Sequence, residues 1–210
     1  MSVMVDNPTT YFNQWIGDRS ELLKAMESEA ADQGIPIVGP VVGRLLYLLA
    51  RLKKAGRILE LGTATGYSAI FMGAACRENP GRIISLEIDS EMARRARHNI
   101  SRAGLADIIE VRCENALSTL STFDQKVDMI FMDVEKKDYA ELLPLLTKIA
   151  EPNGLLVADN TGFKDAHRFN ERIHSETLWT SVNLWAFLPG HSPVQDGLCI
   201  ALRQCITEAC

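Results

Sequence analysis

Asp159 and Asn160 close the stretch GLLVADNTG, residues 154–162, and set a carboxylate beside a carboxamide directly after a short apolar run. Two residue types that offer only short oxygen-bearing side chains suit hydroxyls, amines or a hard cation. They are also the types that shape turns without any ligand. The stretch MIFMDVEKKDY, residues 129–139, repeats the pattern: an apolar run ends at Asp133, and Lys136 follows three positions later. Glu87 ends a third run, RIISLE, and Glu60 lies two residues before the first glycine of LELGTATGYS. Gly62 and Gly66 have the spacing G-x-x-x-G, with Ala64 between them, and do not form the G-x-G-x-x-G of dinucleotide-binding turns. Taken alone, that spacing fits a tight strand-to-helix turn equally well. Glu60 offers a carboxylate to an ammonium group, and Glu87 can accept both hydroxyls of a ribose. The pair suits a nucleoside that carries a positively charged amino-acid tail, whereas a pyrophosphate would be repelled by Glu60.

The elements that must position these residues follow from hydrophobic patterning. Near-continuous apolar runs at 57–62, 82–87, 108–113, 127–133 and 154–159 predict strands covered on both faces. Between them, helices are expected near 66–77, 90–103, 115–121 and 139–150. Ser90 or Asp89 can cap the second of these and Gly104 can close it, while Pro144 inside the fourth implies a kink or a late start. Strand–helix alternation implies right-handed crossovers and a parallel sheet. The tail departs from it: TSVNLWAFL and GLCIALR are separated only by PGHSPVQD, which predicts an antiparallel hairpin at the sheet edge. VVGRLLYLLARLKK, ahead of the first strand, reads as an amphipathic helix with basic residues in its last turn. In an open parallel sheet, ligands bind beyond the carboxyl ends of the strands. Four of the five predicted strands finish at or beside an acid, so one rim gathers Glu60, Glu87, Asp133 and Asp159.

Composition narrows the partners. The chain has 210 residues, 47% hydrophobic and 23% charged, which fits one globular domain. A net charge of −5 disfavours nucleic acid and anionic membranes, and Arg94, Arg95 and Arg97 read as the solvated face of a helix. No run approaches a membrane span, and the N-terminus lacks the pattern of a signal peptide. Cys76, Cys113, Cys199, Cys205 and Cys210 are odd in number with no C-x-x-C pair, so reduced thiols and a cytoplasmic location are expected, with two or three of them in the core.

ILELGTATGYSA, ISLEID, MIFMDVEKKDY and LLVADN, in that order and at these spacings from about residue 38 to 160, resemble the small cation-dependent O-methyltransferases. This group contains the catechol and caffeoyl-coenzyme A O-methyltransferases, and DGLCIALR continues the likeness. The glycine motif recurs across S-adenosylmethionine enzymes; D-x-x-K followed by D-N on successive strand ends is more specific. The resemblance implies an α/β, Rossmann-like methyltransferase fold: a seven-stranded, mostly parallel sheet with a C-terminal antiparallel hairpin and helices on both faces. It implies a methyltransferase domain over residues 36–210, preceded by a helical segment, 1–35, that contains YFNQWI and acts as a lid or dimer contact.

On this basis Asp133, Asp159 and Asn160 form a metal site. Neighbouring strands lie roughly 4.8 Å apart, and two carboxylates with a carbonyl suit Mg²⁺, with Mn²⁺ or Ca²⁺ as substitutes. The absence of His and Cys argues against Zn²⁺. The implied reaction moves a methyl group from S-adenosylmethionine to one hydroxyl of a vicinal dihydroxy aromatic. Lys136 matches the family's general base, against the alternative of a surface lysine paired with Glu135 or Asp138. Asp133 serves both cofactor and metal. Val38, Gly62, Ser68, Glu87, Asn115 and Ala116 match cofactor-binding positions, and Glu60 either joins them or orients the glycine turn. The expected partners are the diol substrate and a second copy of the chain, with no nucleic acid and no membrane.

Alternatives from other classes are a methyltransferase acting on an amine or a single hydroxyl with a non-functional metal site, and a non-catalytic cofactor-binding protein. Three departures from the family pattern stand out. Ala64 replaces the usual middle glycine. Glu135 stands where catechol-type members carry an aromatic wall. The loop Gly190–Gln195 contains His191, which either touches substrate or is only a loop residue. Trp15, Trp179 and Trp185 can wall the pocket or pack in a core or lid.

Overall fold

The computed structural model describes residues 3–205; Cys210 lies outside them. In chain order the elements are α1 (Pro8–Asn13), α2 (Glu21–Gln33), α3 (Gly39–Lys53), β1 (Arg57–Leu61), α4 (Tyr67–Glu78), β2 (Arg82–Glu87), α5 (Ser90–Arg102), β3 (Ile109–Cys113), α6 (Ala116–Thr122), β4 (Val127–Met132), α7 (Tyr139–Ile149), β5 (Ala150–Ala158), α8 (His167–Ser175), β6 (Trp179–Phe187) and β7 (Gln195–Arg203). Two short 3₁₀ turns, Lys136–Asp138 and Lys164–Ala166, precede α7 and α8.

The seven strands form one sheet in the order β3-β2-β1-β4-β5-β7-β6. The first five run parallel to one another, and β7 runs antiparallel to both β5 and β6. The expected hairpin therefore closes one edge. The strand order reverses beside β1, where β1 pairs with β2 on one side and β4 on the other, and this reversal opens a crevice at the carboxyl ends of these strands.

Both faces of the sheet are covered, which is why the strands read as continuous apolar runs. On one face Ile58, Met129, Phe131 and Val157 pack with residues of α2 to α5, including Met26, Leu46, Met72 and Ile100. On the other, Leu59, Leu61, Ile130 and Leu156 pack with Leu120 of α6, Leu143 of α7 and Phe169 of α8. Within each strand the residues alternate between the two cores, so the period of two survives even though neither side is polar.

Local signals set the ends. Asp89 caps α5 by accepting from the Met92 N–H at 2.9 Å, and Gly104 follows with a left-handed φ of +65°. Ser20 caps α2, and Gly34 closes it. Helix α7 runs through Pro144. Proline leaves the carbonyl four residues earlier without a donor, and here Arg172 of α8 donates to that Ala140 carbonyl at 2.9 Å. Strand β5 begins at Ala150, earlier than expected, because Glu151–Gly154 bulge out between the pairs Val127–Ala150 and Met129–Leu155. Helix α8 carries only two buried apolar residues, Phe169 and Ile173, four apart, and the sequence reading passed over it.

The N-terminal segment contributes unevenly. Leu23 and Met26 of α2 belong to the first core, whereas Tyr11, Phe12 and Trp15 around α1 are exposed and stack edge to face. Trp179 is a core residue whose indole N–H donates to Thr147, and Trp185 is exposed. Cys76 and Cys199 are buried, and the four described cysteines are free. Arg94 and Arg95 pair with Glu91 and Glu29, and Arg97 donates to the Val111 carbonyl, so the basic cluster is spent locally. No helix among the described residues is long and apolar enough to cross a membrane.

Candidate active site

A cavity of about 340 Å³ opens at the carboxyl ends of β1, β2, β4 and β5, where the positional argument places the chemistry. Val38, Gly62, Ser68, Glu87, Asn115, Ala116, Asp133, Lys136, Asp159 and Asn160 all line it. Sequence reasoning therefore gathered residues that span more than 120 positions into one wall.

Glu60 is the exception. Within β1 its side chain points toward α4, on the same side as Ile58, and it is fully buried behind the glycine turn. Its carboxylate accepts from the hydroxyls of Ser68 and Ser85 and does not line the cavity. Burial pushes the Glu60 carboxyl up to about 7, with the two serine hydroxyls pulling the other way. Of the two roles open to Glu60, its burial and its serine partners favour the second, bracing the glycine turn from beneath.

The turn itself is strained by design of its backbone. Gly62 has φ +85°, and a Cβ there would lie 2.1 Å from the Asp133 carbonyl oxygen, so only glycine lets β1 and β4 close at this point. Ala64 takes the middle position at φ +45°, a conformation that disfavours a side chain. Its N–H donates to Glu87 at 2.8 Å, and the Asp89 N–H donates to the other Glu87 oxygen at 2.9 Å. Each oxygen keeps a lone pair, so Glu87 is held in place and can still accept. Asn115 caps α6 by accepting from the Ser118 N–H at 3.1 Å. Tyr67, which also lines the cavity, donates to Glu27 at 2.6 Å, and Arg19 grips the same carboxylate, so α2 is tied to the cavity wall.

Asp133 and Asp159 face each other across adjacent strand ends. Met132 pairs with Ala158, and the Asp159 N–H donates to the Met132 carbonyl at 3.0 Å, which brings the two acids level. Burial, and then the neighbouring Asp159 carboxylate, push the Asp133 carboxyl up to about 6, against the pull of Lys136. Lys136 donates to Asp133 at 3.0 Å and pairs with that residue rather than with Glu135 or Asp138. Tyr139, fully buried, sits beneath both strand ends and donates toward the Met132 and Asp159 carbonyls at 3.2 and 3.0 Å.

Two further residues complete the arrangement. His191 Nε2 lies 2.8 Å from Asp159 Oδ2, with both side chains only 1% exposed. Burial works against a charged imidazole, but Asp159, the Pro193 carbonyl and the Asp133 charge together outweigh it and hold the His191 pKa above its ordinary value. Asp196 accepts from the Asn160 side-chain nitrogen at 2.6 Å and from the backbone N–H groups of Gly162 and Gly197. Sequence reasoning left His191 undecided and gave Asp196 no role. Their only signal was position: His191 lies in the connection between β6 and β7, and Asp196 is the second residue of β7, the strand that returns beside β5.

No three His, Cys, Asp or Glu side chains among the described residues are grouped so as to hold a metal ion. The candidate set instead combines two carboxylates with a carboxamide oxygen. That donor set fits a hard divalent cation, which would offset the repulsion between the Asp133 and Asp159 carboxylates.

Comparison with known proteins identifies the family and the fold. A family model described as O-methyltransferase matches residues 16–178. A catechol O-methyltransferase of Niastella koreensis is 38% identical over 156 residues, covering 71% of this chain and 70% of that protein. A catechol O-methyltransferase of Mycobacterium tuberculosis is 34% identical over 147 residues, covering 69% and 66%. Among solved structures, the O-methyltransferase of Bacillus cereus in complex with SAH superposes with a TM-score of 0.83 at 27% identity, covering 93% of this chain and 96% of that one. TomG of Streptomyces achromogenes, an O-methyltransferase involved in tomaymycin synthesis and solved with SAM, gives 0.83 at 28% identity, covering 94% and 96%.

Proposed function

The chain belongs to the O-methyltransferase family and is an S-adenosylmethionine-dependent O-methyltransferase, and from that premise we propose that it methylates one hydroxyl of a vicinal dihydroxy aromatic with the help of a divalent cation. The observation that carries the proposal is the level placement of Asp133 and Asp159–Asn160 at the ends of β4 and β5, on the wall of the same cavity as Gly62 and Glu87.

The cofactor supplies the methyl group, which passes from its sulfur to a substrate oxygen. Gly62 would allow the backbone to approach it, Glu87 would offer carboxylate lone pairs to its ribose, and Asn115 and Ala116 would meet its base. Val38 and Ser68 would take the methionyl end, where the N-terminus of α4 favours a carboxylate. Asp133, Asp159 and Asn160 would hold the cation, which when bound supplies a template for both diol oxygens and favours the oxyanion. Lys136, in its neutral amine form, would receive the hydroxyl proton at Nζ, and its contact with Asp133 keeps that side chain in the cavity wall. Glu135, which lines the cavity in place of an aromatic residue, makes its rim acidic.

A screen of methyl transfer over catechols, single phenols and amines, with Mg²⁺ and with chelator, tests the proposal. Transfer confined to catechols and abolished by chelator is expected. Chelator-resistant transfer to amines or single hydroxyls would overturn it.

A further inference from the structure

The connection between β6 and β7 does more than join a hairpin. Its backbone folds on itself, with the Leu188 N–H donating to the Val194 carbonyl at 2.7 Å and the His191 N–H to the Leu188 carbonyl at 2.9 Å. It is also seated against the start of α3. A Cβ on Gly39 would fall 2.5 Å from the Gly190 carbonyl carbon, and one on Gly190 would fall 2.7 Å from Pro40, so the two glycines permit a backbone contact that larger residues would prevent. The loop is thereby fixed between the N-terminal end of α3 and the end of β5.

From this seat His191 reaches Asp159. Its Nδ1 lies 2.6 Å from the Pro193 carbonyl and its Nε2 faces the Asp159 carboxylate; both partners can only accept, so both ring nitrogens carry hydrogen and the plane of the ring is set. The opposite nitrogen then meets Asp159 Oδ2 at 2.8 Å, while Asp159 Oδ1 accepts from the Asn160 N–H at 2.9 Å. Both oxygens of the carboxylate are held, each with a lone pair to spare, and the carboxylate cannot turn without breaking a buried hydrogen bond. The ring lies beside the donor set rather than within it, since both of its nitrogens are engaged, Nδ1 with the Pro193 carbonyl and Nε2 with Asp159 Oδ2.

We propose that His191 is a positioning residue for the cation site: it fixes the outer oxygen of Asp159 and so raises the affinity of the site for a divalent ion. This rests on the cation reading given above. Groups that orient metal-binding side chains in this way typically account for about 10- to 100-fold in affinity.

The test is calorimetric titration of the full chain with Mn²⁺, without substrate, alongside SAH binding as a check of the fold. His191→Ala is expected to weaken Mn²⁺ binding about tenfold or more and to leave SAH affinity nearly unchanged. His191→Gln, whose amide can donate from nearly the same point, is expected to recover most of the loss. If the alanine variant does not fold, His191→Asn takes its place, because its shorter amide cannot reach Oδ2; the same loss is expected. Mn²⁺ affinity within twofold of the parent protein in the variant that folds would overturn the proposal. So would a strong histidine ¹⁴N coupling in the pulsed EPR spectrum of the Mn²⁺-loaded protein, which would make the ring a ligand. Failure of the parent protein to take up Mn²⁺ would instead overturn the cation reading itself, and this inference with it.

Discussion

Asp196 grips Asn160 by its amide nitrogen, with Oδ2 at 2.6 Å from Nδ2. An amide whose nitrogen is committed on one side presents its oxygen on the other, so this contact decides which atom of Asn160 is available at the end of β5. Asn160 also has φ +52°, a conformation that asparagine tolerates better than most residues. One carboxylate, contributed by the returning strand β7, therefore sets the orientation of the only neutral side chain in the candidate cation site.

Removing that carboxylate is expected to be costly in two measurable ways. Asp196 is 1% exposed and also accepts from the N–H groups of Gly162 and Gly197, so Asp196→Ala leaves three donors without their partner. A loss of about 3 kcal/mol in unfolding free energy is expected from desolvated, unpaired donors. Calorimetric Mn²⁺ affinity should fall roughly tenfold in whatever fraction remains folded. A variant with parental stability and parental ion binding would show that Asp196 does not orient Asn160.

The buried carboxyl of Glu60 predicts a pH effect on stability. Its pKa in the fold, about 7, stands above the ordinary 4.5, so the folded chain favours the protonated form. The sign follows from linkage: folding is unaffected by this group below about pH 4.5, loses stability as pH rises toward 7, and pays the full cost above it. That cost is about 3 kcal/mol, from roughly 1.4 kcal/mol per pKa unit. Glu60→Gln, which cannot ionise and keeps an oxygen for Ser68 or Ser85, should be more stable than the parent chain above pH 7, with the gain vanishing near pH 4.5. Denaturant melts at pH 5 and pH 8 measure it; an equal difference at both values would remove the buried ionisation from the explanation.

Glu60 also marks where the sequence stops being legible. The strand ends could be read because buried parallel strands are apolar runs, and the sheet rule then places Glu87, Asp133 and Asp159 on one rim. The direction of a side chain within such a run could not be read in the same way, because hydrophobic residues on both faces hide the alternation. Counting by twos from Ile58 places Glu60 beneath α4, not in the crevice. His191 and Asp196 were hidden for a different reason. Their roles depend on how the β6–β7 connection folds back beside β5, a long-range geometry to which local spacing carries no signal. The contact between Arg172 and Ala140 is of the same kind, joining two helices through a carbonyl.

Lys136 offers a prediction that separates chemistry from binding. Its Nζ is 3.0 Å from Asp133, an ion pair three residues apart and partly exposed, so its contribution to stability is small. Lys136→Ala is expected to lower kcat by about 10²- to 10⁴-fold, the range for loss of a positioned proton acceptor. Unfolding midpoint, SAH affinity and Mn²⁺ affinity should stay within a few-fold of the parent chain. A matching fall in ion affinity would recast Lys136 as a partner of the cation site rather than as the proton acceptor.

Helix α7 supplies a prediction about the scaffold. Pro144 cannot donate to the Ala140 carbonyl, and Arg172 donates to it at 2.9 Å from the neighbouring helix. Arg172→Ala alone should destabilise the chain by about 2 kcal/mol, because a partly buried carbonyl loses a charged donor. Pro144→Ala restores the helix's own N–H at that position, so the same arginine substitution should cost clearly less in that background. The two substitutions are therefore expected to be non-additive by about 1 kcal/mol or more, as residues sharing one partner are. Strict additivity in a double-mutant cycle, measured by urea unfolding of all four proteins, would mean that Arg172 stabilises the chain through its contact with Glu176 and not by serving the carbonyl that the proline abandons.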